Sequence, residues 1–336
     1  MKLINNYTLT DTVRSAKTFR TPKNLILMIL IFAGIFLIIS MAESMPLMVV
    51  LMPSLLSWTI EQSQLLGENF TDAMIYEHLA NMLTDPSLMF AMLLCTGFGT
   101  LTAIIYCRFA EGRKLRTMGF RGKDFVPQYL VGLVAGFVMF SLIVLLSWAM
   151  GGLSANGLQN AAAGGLIVMF IGYVVQGMSE EVIFRGYFMT TILRYHKPWV
   201  AVLINSIGFA LVHGGNPGID LFHNPLITIL AMINLTLFGV TASLWMLRTG
   251  SIWGACAIHS IWNFVQGNFY GLPVSGTNSG DSVFSFGLVE GMGWANGGAF
   301  GIEASLATTI VLGVIIAALL FVPSPKKKEA PAEVQA

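Results

Sequence analysis

Apolar runs long enough to cross a bilayer recur along this chain, and no other feature restricts its fold as tightly. Crossing about 30 Å of hydrocarbon takes roughly 20 helical residues. Eight stretches approach or meet that length, at about 24–42, 88–106, 128–150, 166–190, 199–213, 226–247, 252–270 and 304–322. With 55% of 336 residues hydrophobic and only 10% charged, the chain is too oily for a water-soluble domain of ordinary composition. The expected fold is all-α: a polytopic membrane helix bundle of about eight transmembrane helices.

Charge supports this count. All 18 Lys and Arg fall in clusters at 2–23, 108–123, 185–197, Arg248 and 326–328, whereas 42–87, 150–165, 214–225 and 271–303 contain none. Cationic loops stay on the cytoplasmic side, so this alternation implies that both termini are cytoplasmic. The expected layout is a basic cytoplasmic segment (1–23), a helix bundle (24–322) with a catalytic core at about 166–265, and a cytoplasmic tail (323–336). The apolar stretch 45–56 carries Pro46 and Pro53 and is too short to span, so it reads as an extension of the first helix or an interfacial segment. The expected location is the cytoplasmic membrane of a prokaryote. A net charge of +1 argues against a nucleic-acid partner, and three cysteines beside spans give neither a disulfide framework nor a zinc spacing.

Ionisable residues at membrane depth cost at least about 2.5–3.5 kcal/mol each, so they are sparse and usually functional. The sequence offers Glu180, Glu181 and Arg185 on the fourth run, His213 at the end of the fifth, and His259 with Asn263 on the seventh. Glu180 is 14 residues from Arg194, His213 is 16 from Lys197, and His259 is 11 from Arg248. At 1.5 Å per residue these depths are about 21, 24 and 16 Å, which is one layer. Glu181 with Arg185, and His259 with Asn263, are i,i+4 pairs sharing a helix face.

Taken singly, each group has a plain structural reading: Glu181–Arg185 as an ion pair, a lone His or Asn as a bond between helices. Together at one depth they describe a site. A glutamate withdrawn from bulk water suits a general base acting on water, a histidine opposite it can hold that water, and His with Asn one turn apart suits an oxyanion. No Ser or Cys stands in an activated context, so attack by water is expected rather than a covalent intermediate.

At these residues the sequence resembles the CPBP family of intramembrane proteases, which includes type II CAAX prenyl endopeptidases and bacteriocin-processing or immunity relatives. The resemblance rests on EExxxR (Glu180, Glu181, Arg185), FxxxH (Phe209, His213) and HxxxN (His259, Asn263), in that order, across about 166–265. It implies that Glu180 activates water with help from His213, that His259 and Asn263 form an oxyanion hole, and that Glu181 and Arg185 brace the site; the roles of the two glutamates could be exchanged. It also implies a membrane-associated peptide or protein as substrate. Family names say metalloprotease, yet the mechanism implied needs no metal. If zinc is present, Glu180, His213 and His259 are its expected ligands, although the HExxH spacing is absent.

Two other classes stay open: a non-catalytic immunity or regulatory partner in the membrane, and a proton-coupled transporter using the buried glutamate as a relay. The cation-free stretch 271–305 reads as an external connector, with a lid over the site as the alternative. Trp253, Trp262 and Trp294 read as belt or packing residues, and His78, His196 and His223 as bystanders in loops.

Overall fold

The computed structural model describes residues 8–83 and 85–322; the expected tail at 323–336 and the first seven residues lie outside the described residues. A short helix, α1 (Thr8–Ser15), buries Leu9 and Val13. It is followed by α2 (Leu25–Leu66), α3 (Asp72–Leu83), α4 (Pro86–Ile105) and α5 (Phe125–Ala149). Next come α6 (Ala163–Glu181), α7 (Thr190–Leu193), α8 (Pro198–Val212) and α9 (Pro225–Thr249). The series closes with α10 (Trp253–Phe264), α11 (Gly293–Asn296) and α12 (Leu306–Phe321).

Among the described residues six helices are long and apolar enough to cross a membrane, and α12 is apolar but shorter. The molecule is thus a helix bundle of the polytopic membrane type. Local chemistry starts its helices where the sequence says it should. Asn24 caps α2 by accepting from the Leu27 N–H, Asp85 caps α4 through Ser87 and Leu88, and Ser305 caps α12 through Thr308. Proline opens α4, α8 and α9 at the first turn, where its missing N–H is harmless.

Of the two readings of 45–56, the extension of the first helix is the one observed: α2 runs for 42 residues, through Pro46 and Pro53. One expectation changes. The fold is not purely helical. Between the spans, β1 (Leu153–Leu158) pairs antiparallel with β2 (Phe284–Leu288), joining two connectors that sequence reading treated as separate loops. The partners lie more than a hundred residues apart, so no local pattern announces the pairing. His78, expected in a loop, is on α3 and stacks on Trp58 at 3.9 Å between ring centroids.

The helix that organises the bundle is α10, which packs against both α5 and α6 and is buried along most of its length. Without a hydrophobic force between helices in lipid, close approach depends on small residues, and α5 supplies Gly132 and Gly136 four apart. A Cβ at Gly136 would lie 2.9 Å from the Ile258 carbonyl oxygen. On the other flank, a Cβ at Gly177 of α6 would lie 2.7 Å from the Ser260 backbone nitrogen and 3.0 Å from its Cα. That neighbour is backbone and cannot swing aside. Gly177→Ala is therefore expected to push α6 off α10 and to cost about 1–3 kcal/mol, read as a lowered Tm in detergent. Gly34→Ala, with nothing within 4 Å, is the neutral control.

After Glu181 the helix widens to a π-type turn over Val182–Met189 before closing again as α7; such turns recur at functional sites. Arg113, 1% exposed, braces it from a neighbouring loop by donating to the Gly186 carbonyl at 3.2 Å and to the Thr190 hydroxyl. At the same end α1 and α7 cap each other: Arg194 donates to the Arg14 carbonyl at 2.6 Å and Arg14 to the His196 carbonyl at 2.9 Å.

Candidate active site

Three helices deliver the polar groups. Glu180 and Glu181 end α6, His213 follows α8, and His259 and Asn263 lie on α10. The common depth expected from chain spacing is met in three dimensions: Glu180 Oε2 lies 3.6 Å from His213 Nε2 and 3.7 Å from His259 Nε2. Glu180, His213, His259 and Asn263 all border one cavity of about 700 Å³.

The two adjacent glutamates are not equivalent. Glu181 is fully buried, 3.0 Å from Arg185 Nη1, and its Oε1 also accepts from His259 Nδ1 at 2.9 Å. Neither Glu181 nor Arg185 borders the cavity. Arg185 lies with its guanidinium carbon 4.5 Å from the centroid of the Phe209 ring, a cation–π contact. This charge pair therefore stands behind the site and holds His259 and, through Phe209, the element carrying His213.

Hydrogen bonds also set which ring nitrogens face Glu180. The Phe209 carbonyl can only accept, so His213 Nδ1, 2.8 Å away, is the donor, and in the neutral ring Nε2 is an acceptor. By the same logic Glu181 fixes the proton on His259 Nδ1. Glu180 Oε2 is buried and has no hydrogen-bond partner among the described residues. An acceptor carboxylate facing the acceptor nitrogens of two neutral imidazoles is repulsive unless a donor joins them, and a water molecule offers two O–H donors.

Gln176 completes the frame. One turn before Glu180 it donates to Glu180 Oε1, while its own carbonyl oxygen accepts from Asn263 Nδ2 at 2.9 Å. Asn263 thereby spends one N–H on Gln176 and retains a second. Sequence reading passed over Gln176 because it is uncharged; its i,i+4 relation to Glu180 in an apolar helix was the available signal. Two acidic residues were also missed. Glu43 of α2 accepts from Ser179 Oγ at 3.3 Å, next to Glu180 in sequence, and occupies the notch left by Gly99. Glu303 borders the cavity and accepts from the Ser275 N–H at 2.8 Å and its hydroxyl at 3.1 Å.

The stretch read as a connector contributes to the cavity wall through Val274, Ser275, Gly276, Thr277 and Asn278. Trp262 is buried and packs on Phe140 and Phe238. Trp253 Nε1 donates to the Arg121 carbonyl at 3.2 Å, and Trp294 is partly exposed. His223 pairs with Asp220 and His196 contacts the Lys23 carbonyl; neither borders the cavity. Among the described residues no group of three or more His, Cys, Asp and Glu is arranged to hold a metal ion.

Fold and site together define a polytopic membrane protein with a carboxylate–imidazole cluster inside its helix bundle. Its core, residues 162–265, belongs to the CPBP/CAAX protease family, matching the family described as type II CAAX prenyl endopeptidase Rce1-like. All three motifs lie inside that segment. No curated protein and no solved structure matches the chain.

Proposed function

We propose that this protein is an intramembrane endopeptidase that hydrolyses a peptide bond of a membrane-associated peptide or protein, using water activated by Glu180. The observation that carries this reading is the unpartnered Glu180 Oε2, 3.6 and 3.7 Å from two histidine Nε2 atoms at the edge of a cavity. Glu180 takes a proton from water that His213 helps to hold, and the hydroxide attacks the carbonyl carbon. The second N–H of Asn263 stabilises the oxyanion, joined by His259 through Nε2 when its ring carries a proton on both nitrogens, Nδ1–H staying on Glu181. Glu181 and Arg185 keep His259 in register, and Glu180 returns the proton to the leaving amine.

In this reading the chain crosses the membrane about eight times, α10 with its following turn and α12 completing the six longer spans. Both termini face the cytoplasm, 166–265 forms the catalytic core, and the protein sits in the cytoplasmic membrane of a prokaryote. Burial in the bundle excludes bulk water and confines hydrolysis to a segment that can enter.

Quantitative proteomics of membrane fractions tests the activity in its own setting. Cells carrying the wild type are expected to contain at least one cleaved peptide that is absent from cells carrying Glu180→Gln. Identical fragment profiles at equal expression would count against proteolysis.

A further inference from the structure

Gln176 occupies a place in the site that its lack of charge conceals. It precedes Gly177, where α6 meets the α10 backbone so closely that a Cβ would lie 2.7 Å from the Ser260 nitrogen. Two side-chain hydrogen bonds flank that contact. On one side Glu181 Oε1 accepts from His259 Nδ1 at 2.9 Å, and on the other Gln176 Oε1 accepts from Asn263 Nδ2 at 2.9 Å. Each of the two groups assigned to the oxyanion is therefore held by a residue of α6, and Glu180 stands between those two holders in sequence.

The direction of the Gln176 amide is not free. A carboxylate only accepts, so the amide turns Nε2 to Glu180 Oε1 and leaves its own oxygen for Asn263. That oxygen also only accepts, so Asn263 must turn Nδ2 toward it, and the second N–H on the same nitrogen is held in a set direction. Reversed, Gln176 would set a carbonyl against the carboxylate and its NH₂ against Asn263, whose amide would turn over and lose its N–H from the site. The same bond decides which oxygen of Glu180 reacts. Oε1 faces a donor, whereas Oε2 has no hydrogen-bond partner among the described residues. A proton taken from water therefore sits on Oε2, the oxygen 3.6 and 3.7 Å from the two histidine Nε2 atoms. A simple bond between helices would need neither a place on the cavity wall nor one end on the base and the other on the oxyanion donor.

We propose that Gln176 is a positioning residue for the hydrolysis: it carries the polarity of the Glu180 carboxylate across to Asn263, so that one side chain sets both the reactive oxygen of the base and the N–H that meets the oxyanion. This role rests on the endopeptidase reading of the site. Because the oxyanion exists only once water has attacked, Gln176 stabilises the transition state and contributes little to holding the uncut peptide. Without it Glu180 Oε1 loses a donor and Asn263, 6% exposed, loses the partner that fixes its amide.

The test uses the full chain in vesicles and two probes. One is a fluorescent peptide copied from a segment whose cleavage in membrane fractions depends on Glu180, and the other is the same peptide with a tetrahedral, anionic phosphinate in place of the cleaved amide. Gln176→Met, close in length and volume, is expected to lower kcat by about 10²-fold, the scale of losing one oxyanion donor, with peptide affinity held within about threefold. Phosphinate affinity should fall in parallel with kcat/KM. Adding Gln176→Met to Asn263→Ala should cost far less than the product of the two single losses, since Gln176 acts largely through Asn263. Gln176→Asn keeps an amide but is one methylene too short to span both partners; it should show the same split and replaces the Met variant if that protein is lost from the membrane. Unchanged kcat overturns the proposal, and so do equal losses of peptide and phosphinate affinity or losses that multiply in the double variant, which mark a mere wall residue. A wild type that cuts nothing and binds the phosphinate no tighter than the peptide sinks the endopeptidase reading and the role of Gln176 with it; a cutting wild type matched by its Gln176 variants sinks only the latter.

Discussion

Glu180→Gln in reconstituted vesicles is expected to lower kcat for peptide cleavage by about 10²–10⁴-fold, the range set by removing a general base, while peptide affinity changes far less. The substitution keeps the shape of the side chain and leaves an oxygen to accept from Gln176, which now bonds Oε1. What disappears is basicity at Oε2, the atom 3.6 and 3.7 Å from the two histidines. Because His213 holds the attacking water and His259 the oxyanion that its attack creates, all three serve one step, so replacing either histidine should cost nearly as much, and the losses should not multiply when combined with Glu180→Gln. Full activity of Glu180→Gln with Glu181 intact would remove Glu180 from the chemistry.

Glu181→Ala is expected to damage the fold itself. It strips a fully buried arginine of the carboxylate 3.0 Å away and releases His259 Nδ1. Breaking a buried pair by removing one partner costs about 3–5 kcal/mol, because the other charge stays behind. A strongly lowered Tm, or loss of protein from the membrane, is the expected result. Replacing both members, Glu181→Leu with Arg185→Leu, should recover much of the stability, since a buried ion pair is often no better than apolar residues of similar volume. Activity should not recover, because His259 would still lack its anchor. A single variant with wild-type Tm would show that the pair bears no structural charge burden.

These two residues also show what the sequence could reveal. Glu180, Glu181, Arg185, His213 and His259 stood out because an ionisable group in an apolar run has few reasons to be there, and helical spacing told which pairs share a face. The inequality of the two glutamates was not legible. It depends on Glu181 meeting His259, a contact across 78 positions. Glu43 and Glu303 escaped because each lies just past the edge assigned to an apolar run, at 42 and 304. The structure carries α2 straight through that edge and folds the segment before α12 onto the cavity. Gln176 escaped for lack of charge. The β1–β2 pair escaped because strand pairing between distant connectors leaves no period in either one.

Catalysis at this site stands on one shared water. A density map of the membrane-embedded protein, at a resolution that shows ordered solvent, is expected to reveal a water within hydrogen-bond distance of Glu180 Oε2 and the Nε2 atoms of His213 and His259. Side chains of these three residues turned into separate surroundings, with no common solvent site, would contradict it.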